Sequence, residues 1–214
     1  TGFVLSSSTW KAHMRWADDL GESEAELARS NHHAVAFVAD LRREFSGNAK
    51  PIVLSGVIGP CGDAYAPEDL ISAEDDQDYH AKQVGWLADT EVDMVSAETF
   101  TQSDEAIGIV RAAQAANMPI VVSFTVETNG DLPTGQPLSE AIIAVDEATG
   151  SDPAYFMINC AHPDHFGHVL EDDDWSHRIR GIFCNASRKS HAELDGSDTL
   201  DDGDPVELGA QYKD

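Results

Sequence analysis

A chain of 214 residues, 42% of them hydrophobic, is long and apolar enough to bury one sizeable core, which excludes a disordered tail or a small stapled scaffold. The formal net charge of −26, from 39 Asp plus Glu against 13 Lys plus Arg, leaves no basic patch for a phosphate backbone, so nucleic acid and anionic membranes are poor partners. No apolar run reaches the length of a membrane span, no signal segment opens the sequence, and three widely spaced cysteines make no disulfide framework; the expected setting is reducing and cytoplasmic.

Taken in order, Gly2 to Leu5 is an apolar run that passes at once into the polar stretch Ser6 to Trp10. Glu22 to Phe45 places Leu27, Val35, Val38, Leu41 and Phe45 at near-helical spacing, and Ser23 with Glu26 makes a capping box, so a helix is expected, ended by Gly47. Ile52 to Ile58 reads as a buried strand, followed by the tight loop Gly59 to Asp63. Ser72 caps a helix to about Leu87, a strand covers Asp93 to Ala97, and a helix runs from about Ser103 to Ala116. A strand near 119–125, a helix over Ser139 to Ala148 and a strand near 154–159 follow. Phe166 to Leu170 suggests a short helix, and Ile179 to Cys184 a last strand. Asp204-Pro205 is a helix start, with Asp as N-cap and Pro in the first turn.

Buried strands alternating with amphipathic helices follow the rhythm of the (β/α)8 barrel. About six strands are visible where a closed barrel needs eight. An open doubly wound sheet is the alternative, but no glycine-rich dinucleotide fingerprint supports it.

The chemistry gathers where these strands end. Tyr155 to Ile158 emerges into Asn159-Cys160-Ala161-His162, bringing a thiol and an imidazole to the end of a buried strand. Cys160 is then a nucleophile, a metal ligand or a packing residue; a nucleophile wants a base, for which His162 and His165 are the neighbours. Cys61, Cys160 and Cys184 lack the spacing of a structural zinc site, although each ends a strand and all three could meet at one rim. Glu98 and Glu127 also sit at strand exits, either as solvated residues or as an acid–base pair. His32-His33 point about 100° apart on a helix and make a poor joint site. The remaining histidines (His13, His80, His168, His177 and His191) read as surface or buried helix positions, and Glu171 to Asp174 as a charged loop without EF-hand spacing.

Four stretches together resemble the homocysteine S-methyltransferase family. Ile158-Asn159-Cys160 is similar to its N-C motif, and Val95-Ser96-Ala97-Glu98-Thr99 to its E-T signature. Pro119 to Phe124 is similar to its S-F segment, and Cys184-Asn185-Ala186 to its P-N-A/G segment, with Cys in place of Pro. The resemblance implies a (β/α)8 TIM barrel of the homocysteine methyltransferase type, incomplete here, as a single domain over 1–214 truncated at both ends. It implies Zn2+ held by three thiolates, a homocysteine sulfur joining it, and methyl transfer from a small onium donor to give methionine. Carried over, Cys160 is a metal ligand, Glu98 receives the homocysteine amino group, and Asn185 contacts substrate. The family's G-G-C-C segment, which supplies the other two thiolates, has no counterpart, so impaired catalysis is expected. Two alternatives remain: a non-catalytic binding or assembly module, a homo-oligomer formed through exposed barrel edges, and a metal-independent barrel enzyme using Glu98 and Glu127.

Overall fold

The computed structural model describes residues 2–48, 51–64 and 72–213. Six strands, β1 (Phe3–Ser6), β2 (Ile52–Ile58), β3 (Met94–Phe100), β4 (Ile120–Phe124), β5 (Phe156–Asn159) and β6 (Ile179–Phe183), form one sheet in that spatial order, and every neighbouring pair is parallel. Between them run α1 (Ala17–Leu20), α2 (Glu24–Phe45), α3 (Ala73–Ala88), α4 (Ser103–Ala115), α5 (Leu138–Thr149) and α6 (Pro163–Phe166), and α7 (His191–Asp195) and α8 (Pro205–Gln211) follow β6. A doubly wound sheet reverses its strand order at a switch point, and this consecutive order has none. The sheet is a curled half-barrel, with helices outside and a second face turned inward.

The two faces differ in kind. Leu54, Val95, Ala97, Val122, Phe124, Phe156 and Ile158 face the helices and are fully buried there. Alternation then turns Ser55, Ser96, Ser123 and Asn159 to the inner face. These polar residues pair across strands: Ser55 with Ser96 at 2.6 Å between hydroxyls, and Ser123 Oγ donating to Asn159 Oδ1 at 2.6 Å. On the helix side the Phe124 and Phe156 rings stack 6.1 Å apart, and burying each such ring contributes about 1.5–3 kcal/mol. The outer edges of β1 and β6 leave Phe3, Val4 and Phe183 exposed.

Local signals set the element boundaries. Ser23 and Glu26 complete the capping box of α2, Ser72 Oγ accepts the Asp75 N–H at the start of α3, and Asp204 accepts two N–H groups at the start of α8. The structure departs from the sequence reading in four places. Gly47 does not stop α2 in a left-handed turn; the helix ends at Phe45 and runs on as a 3-10 turn through Ser46–Asn48. The short helix expected at 166–170 starts earlier, at Pro163, because His162 caps it by accepting the Asp164 N–H. The short helices α1 and α7 have too few residues for a periodic signal. Finally, β3 does not end at Ala97 but continues to Phe100, with a register shift against β4 between Ala97 and Phe100.

Candidate active site

The register shift in β3 is centred on Thr99, whose φ of 69° is left-handed. For a β-branched residue this conformation costs on the order of 1–3 kcal/mol and persists only when its surroundings enforce it. Asn159, at the end of β5, does the enforcing. Its Oδ1 accepts the Thr99 backbone N–H at 3.0 Å as well as the Ser123 hydroxyl. Its Nδ2 donates to the Thr99 hydroxyl at 2.8 Å and to Cys160 Sγ at 3.1 Å. The amide therefore uses all four of its hydrogen-bonding positions, and the Thr99 N–H, which can only donate, fixes which end is oxygen.

Cys160 follows with φ 56°, also left-handed. Its carbonyl points back over the strand ends and accepts from Asn185 Nδ2 at 2.9 Å and from the His191 ring at 2.8 Å. The other ring nitrogen of His191 lies 3.2 Å from Glu127 Oε1. One network thus joins the exits of β3, β4, β5 and β6. Cys160 and Asn185 are in direct contact, and Glu98 precedes Thr99, the residue that Asn159 holds.

Glu98 is half-buried, and burial alone raises its carboxyl pKa above the ordinary value. Its backbone carbonyl is held by the Trp10 indole N–H at 2.9 Å. Trp10 packs against Gly59, where a Cβ would come within 2.7 Å of the Trp10 carbonyl and 2.8 Å of its ring, so no larger residue fits that loop. Glu127 is engaged by His191 rather than simply solvated.

The histidines that follow Cys160 in sequence serve the backbone. His162 caps α6, and His165 Nε2 meets the Arg188 carbonyl at 2.9 Å. Among the described residues the thiol takes its hydrogen bond from Asn159, while His162 and His165 are engaged by the backbone.

Cys160 and Cys184 follow paired residues at the ends of β5 and β6, whereas Cys61 sits beside Glu105. The Cys61 N–H donates to Glu105 at 2.5 Å, and burial followed by the Glu105 charge pushes its thiol up to about 11. Cys184 donates its N–H to the Tyr212 hydroxyl, and burial raises its thiol as well. Among the described residues, the one trio of His, Cys, Asp or Glu with ligand atoms close enough to share an ion is Asp76, His80 and Glu105, which contains no cysteine. The donor set of a three-thiolate zinc centre is therefore not assembled by these side chains. Also among the described residues, no helix is long and apolar enough to cross a membrane.

Sequence reasoning singled out Glu98 and Cys160 at strand exits and Asn185 through the family resemblance. It took Asn159 only as part of a motif and left His191 as a generic helix position. A polar residue ending a strand that is otherwise buried was the available signal for Asn159.

Comparison with known proteins places this arrangement. No curated protein matches the chain by sequence. Solved structures of the homocysteine methyltransferase MmuM from Escherichia coli share the fold at 18% identity. The metallated form gives a TM-score of 0.70 and the oxidized form 0.71, each over 89% of this chain and 77% of the other. The apo form gives 0.64 over 97% and 79%. At that identity the likeness establishes the fold, a partial TIM barrel. The family pattern described as homocysteine S-methyltransferase matches residues 3–205, nearly the whole chain, and on that match the chain belongs to the homocysteine S-methyltransferase family.

Proposed function

We propose that this chain holds homocysteine at the carboxyl ends of its strands, within the lineage of enzymes that move a methyl group from an onium donor to the homocysteine sulfur to give methionine. The observation that carries the reading is the Asn159 amide, which ties Thr99, the residue after Glu98, to the strand end that carries Cys160, whose carbonyl Asn185 holds. In this reading the Glu98 carboxylate receives the substrate ammonium group, a charge partner that its partly desolvated position favours. Asn185 braces the Cys160 loop through Nδ2 and leaves its Oδ1 to the substrate.

The methyl step forms a sulfur–carbon bond, breaks the donor's onium–carbon bond and leaves the donor neutral, while the homocysteine thiol gives up its proton to solvent. These residues account for binding and orientation. With one cysteine in the strand-end network and no gathered thiolates, no step is assigned to a metal, and turnover by the 214 residues alone is expected to be close to background.

Calorimetric titration of L-homocysteine into the purified chain, beside a methionine-forming assay with a methylsulfonium donor, tests the proposal. Saturable binding that is lost in Glu98→Gln supports it. Absence of binding, or binding indifferent to Glu98→Gln, refutes it.

A second reading rests on the exposed Phe3, Val4 and Phe183 at the outer strands, where open edges recruit partners. It predicts a ligand-independent dimer in sedimentation, converted to monomer by charged substitutions at Val4 and Phe183.

A further inference from the structure

The most costly arrangement in the structure lies away from the strand ends, between α3 and α4. Asp76 is fully buried, and among the described residues neither of its carboxyl oxygens has a hydrogen-bond partner. His80 is also fully buried, one turn further along the same face of α3, and its Nδ1 has no partner. Glu105, near the start of α4, is 3% exposed; its Oε1 lies 3.0 Å from His80 Nε2 and accepts the Cys61 N–H. Ligand atoms of the three residues all lie within 4.8 Å of one another. Buried carboxylates are ordinarily paired or coordinate a cation, and here two share one pocket with a single imidazole.

We propose that Asp76, His80 and Glu105 bind one divalent transition-metal ion, which clamps α3 to α4 behind the end of β3.

Several features fit an ion better than a bare cluster. The close approach of the helices is built in: Gly108 sits one turn after Glu105, and a Cβ there would come within 2.6 Å of the Asp76 Cβ and 2.8 Å of the Gln77 backbone nitrogen. The Phe100 ring stands 5.6 Å from the His80 ring and closes the inner side. Metal–ligand distances of about 2.0–2.2 Å in tetrahedral geometry put ligand atoms about 3.4 Å apart, so the His80–Glu105 pair at 3.0 Å is already close enough and the rest of the trio, within 4.8 Å, has to draw in by up to about 1.4 Å. One imidazole with two carboxylates suits Zn2+ or Mn2+, and offers too few oxygens for Ca2+. Two carboxylates with a neutral imidazole also carry the charge that a divalent ion cancels.

A proton is the competitor. Burial first, then the charges of Glu105, Asp104 and Asp75, push the Asp76 carboxyl up to about 8.

The test uses the whole chain, stripped with chelator and titrated with Zn2+, and with Co2+ as a coloured probe. One ion per chain is expected, with cobalt visible bands, a raised melting temperature, and an affinity loss on the order of a hundredfold or more in both Asp76→Asn and His80→Gln. Cys160→Ala and Cys184→Ala should leave binding unchanged. Asp76→Asn removes an unpartnered carboxyl, so the metal-free variant should melt no lower than the metal-free parent, which guards against reading misfolding as lost binding. The proposal fails if the parent retains neither ion, if Asp76→Asn and His80→Gln bind as tightly as the parent, or if binding is abolished by Cys160→Ala instead.

Discussion

Asn159 grips Thr99 at two points, its Oδ1 taking the Thr99 backbone N–H at 3.0 Å and its Nδ2 giving a hydrogen bond to the Thr99 hydroxyl at 2.8 Å. Two segments 60 residues apart are thereby fixed by one amide, and the left-handed turn beside Glu98 depends on it. Asn159→Ala should destabilise the protein by about 2–4 kcal/mol, because it leaves the buried Thr99 N–H unpaired and removes the support for two left-handed residues. Urea denaturation measures this. Asn159→Asp, which keeps the acceptor but loses both donors, should fall between parent and alanine variant.

The proposed role of Glu98 makes homocysteine binding depend on pH. Burial raises its pKa, so on acidification its carboxyl group becomes neutral sooner than an ordinary glutamate. A neutral carboxyl cannot pair with an ammonium group, so affinity should weaken as pH falls through the raised pKa. Titrations of the parent chain at a series of pH values show the slope, and an affinity that does not weaken on acidification contradicts the role given to Glu98.

His13 should make the fold acid-sensitive. Burial, then the charges of His80 and Lys11, lower its pKa from 6.5 to about 3, and its ring contacts the Tyr79 hydroxyl. Between those two values the unfolded chain binds a proton that the folded chain does not. Stability is therefore full above about 6.5 and drains away as pH falls toward about 3. His13→Gln should flatten that part of the urea-midpoint profile.

Gly108→Ala reverses a familiar sign. In an exposed helix interior the change would stabilise by up to about 1 kcal/mol, but here the new methyl meets Asp76 and the α3 backbone. Overpacking of this kind costs about 1–3 kcal/mol, so the melting temperature should fall. A rise would mean that α3 and α4 stand further apart than 2.6 Å from that Cβ position allows.

Six strands and their parallel, consecutive order were legible because a buried strand announces itself locally, as in Ile52–Ile58 and Phe156–Asn159. The same holds for caps such as Ser23 with Glu26 and Asp204 with Pro205. Glu98 and Cys160 stood out by their place at strand exits, and Asn185 through the family resemblance. What escaped the sequence was pairing at a distance. Nothing local says that Asn159 bonds Thr99, or that His191 stands between the Cys160 carbonyl and Glu127. Asp76 and His80 are spaced to share a helix face, which is readable, but only the packing of α4 on α3 adds Glu105.

The central claim is that homocysteine binds across the ends of β3, β5 and β6. Its most direct test is the amide spectrum of isotope-labelled protein during titration with L-homocysteine. The account predicts saturating shifts concentrated at Glu98–Thr99, Asn159–Cys160 and Cys184–Asn185, absent in Glu98→Gln. Shifts confined to the opposite ends of the strands, or none at saturating ligand, would contradict it.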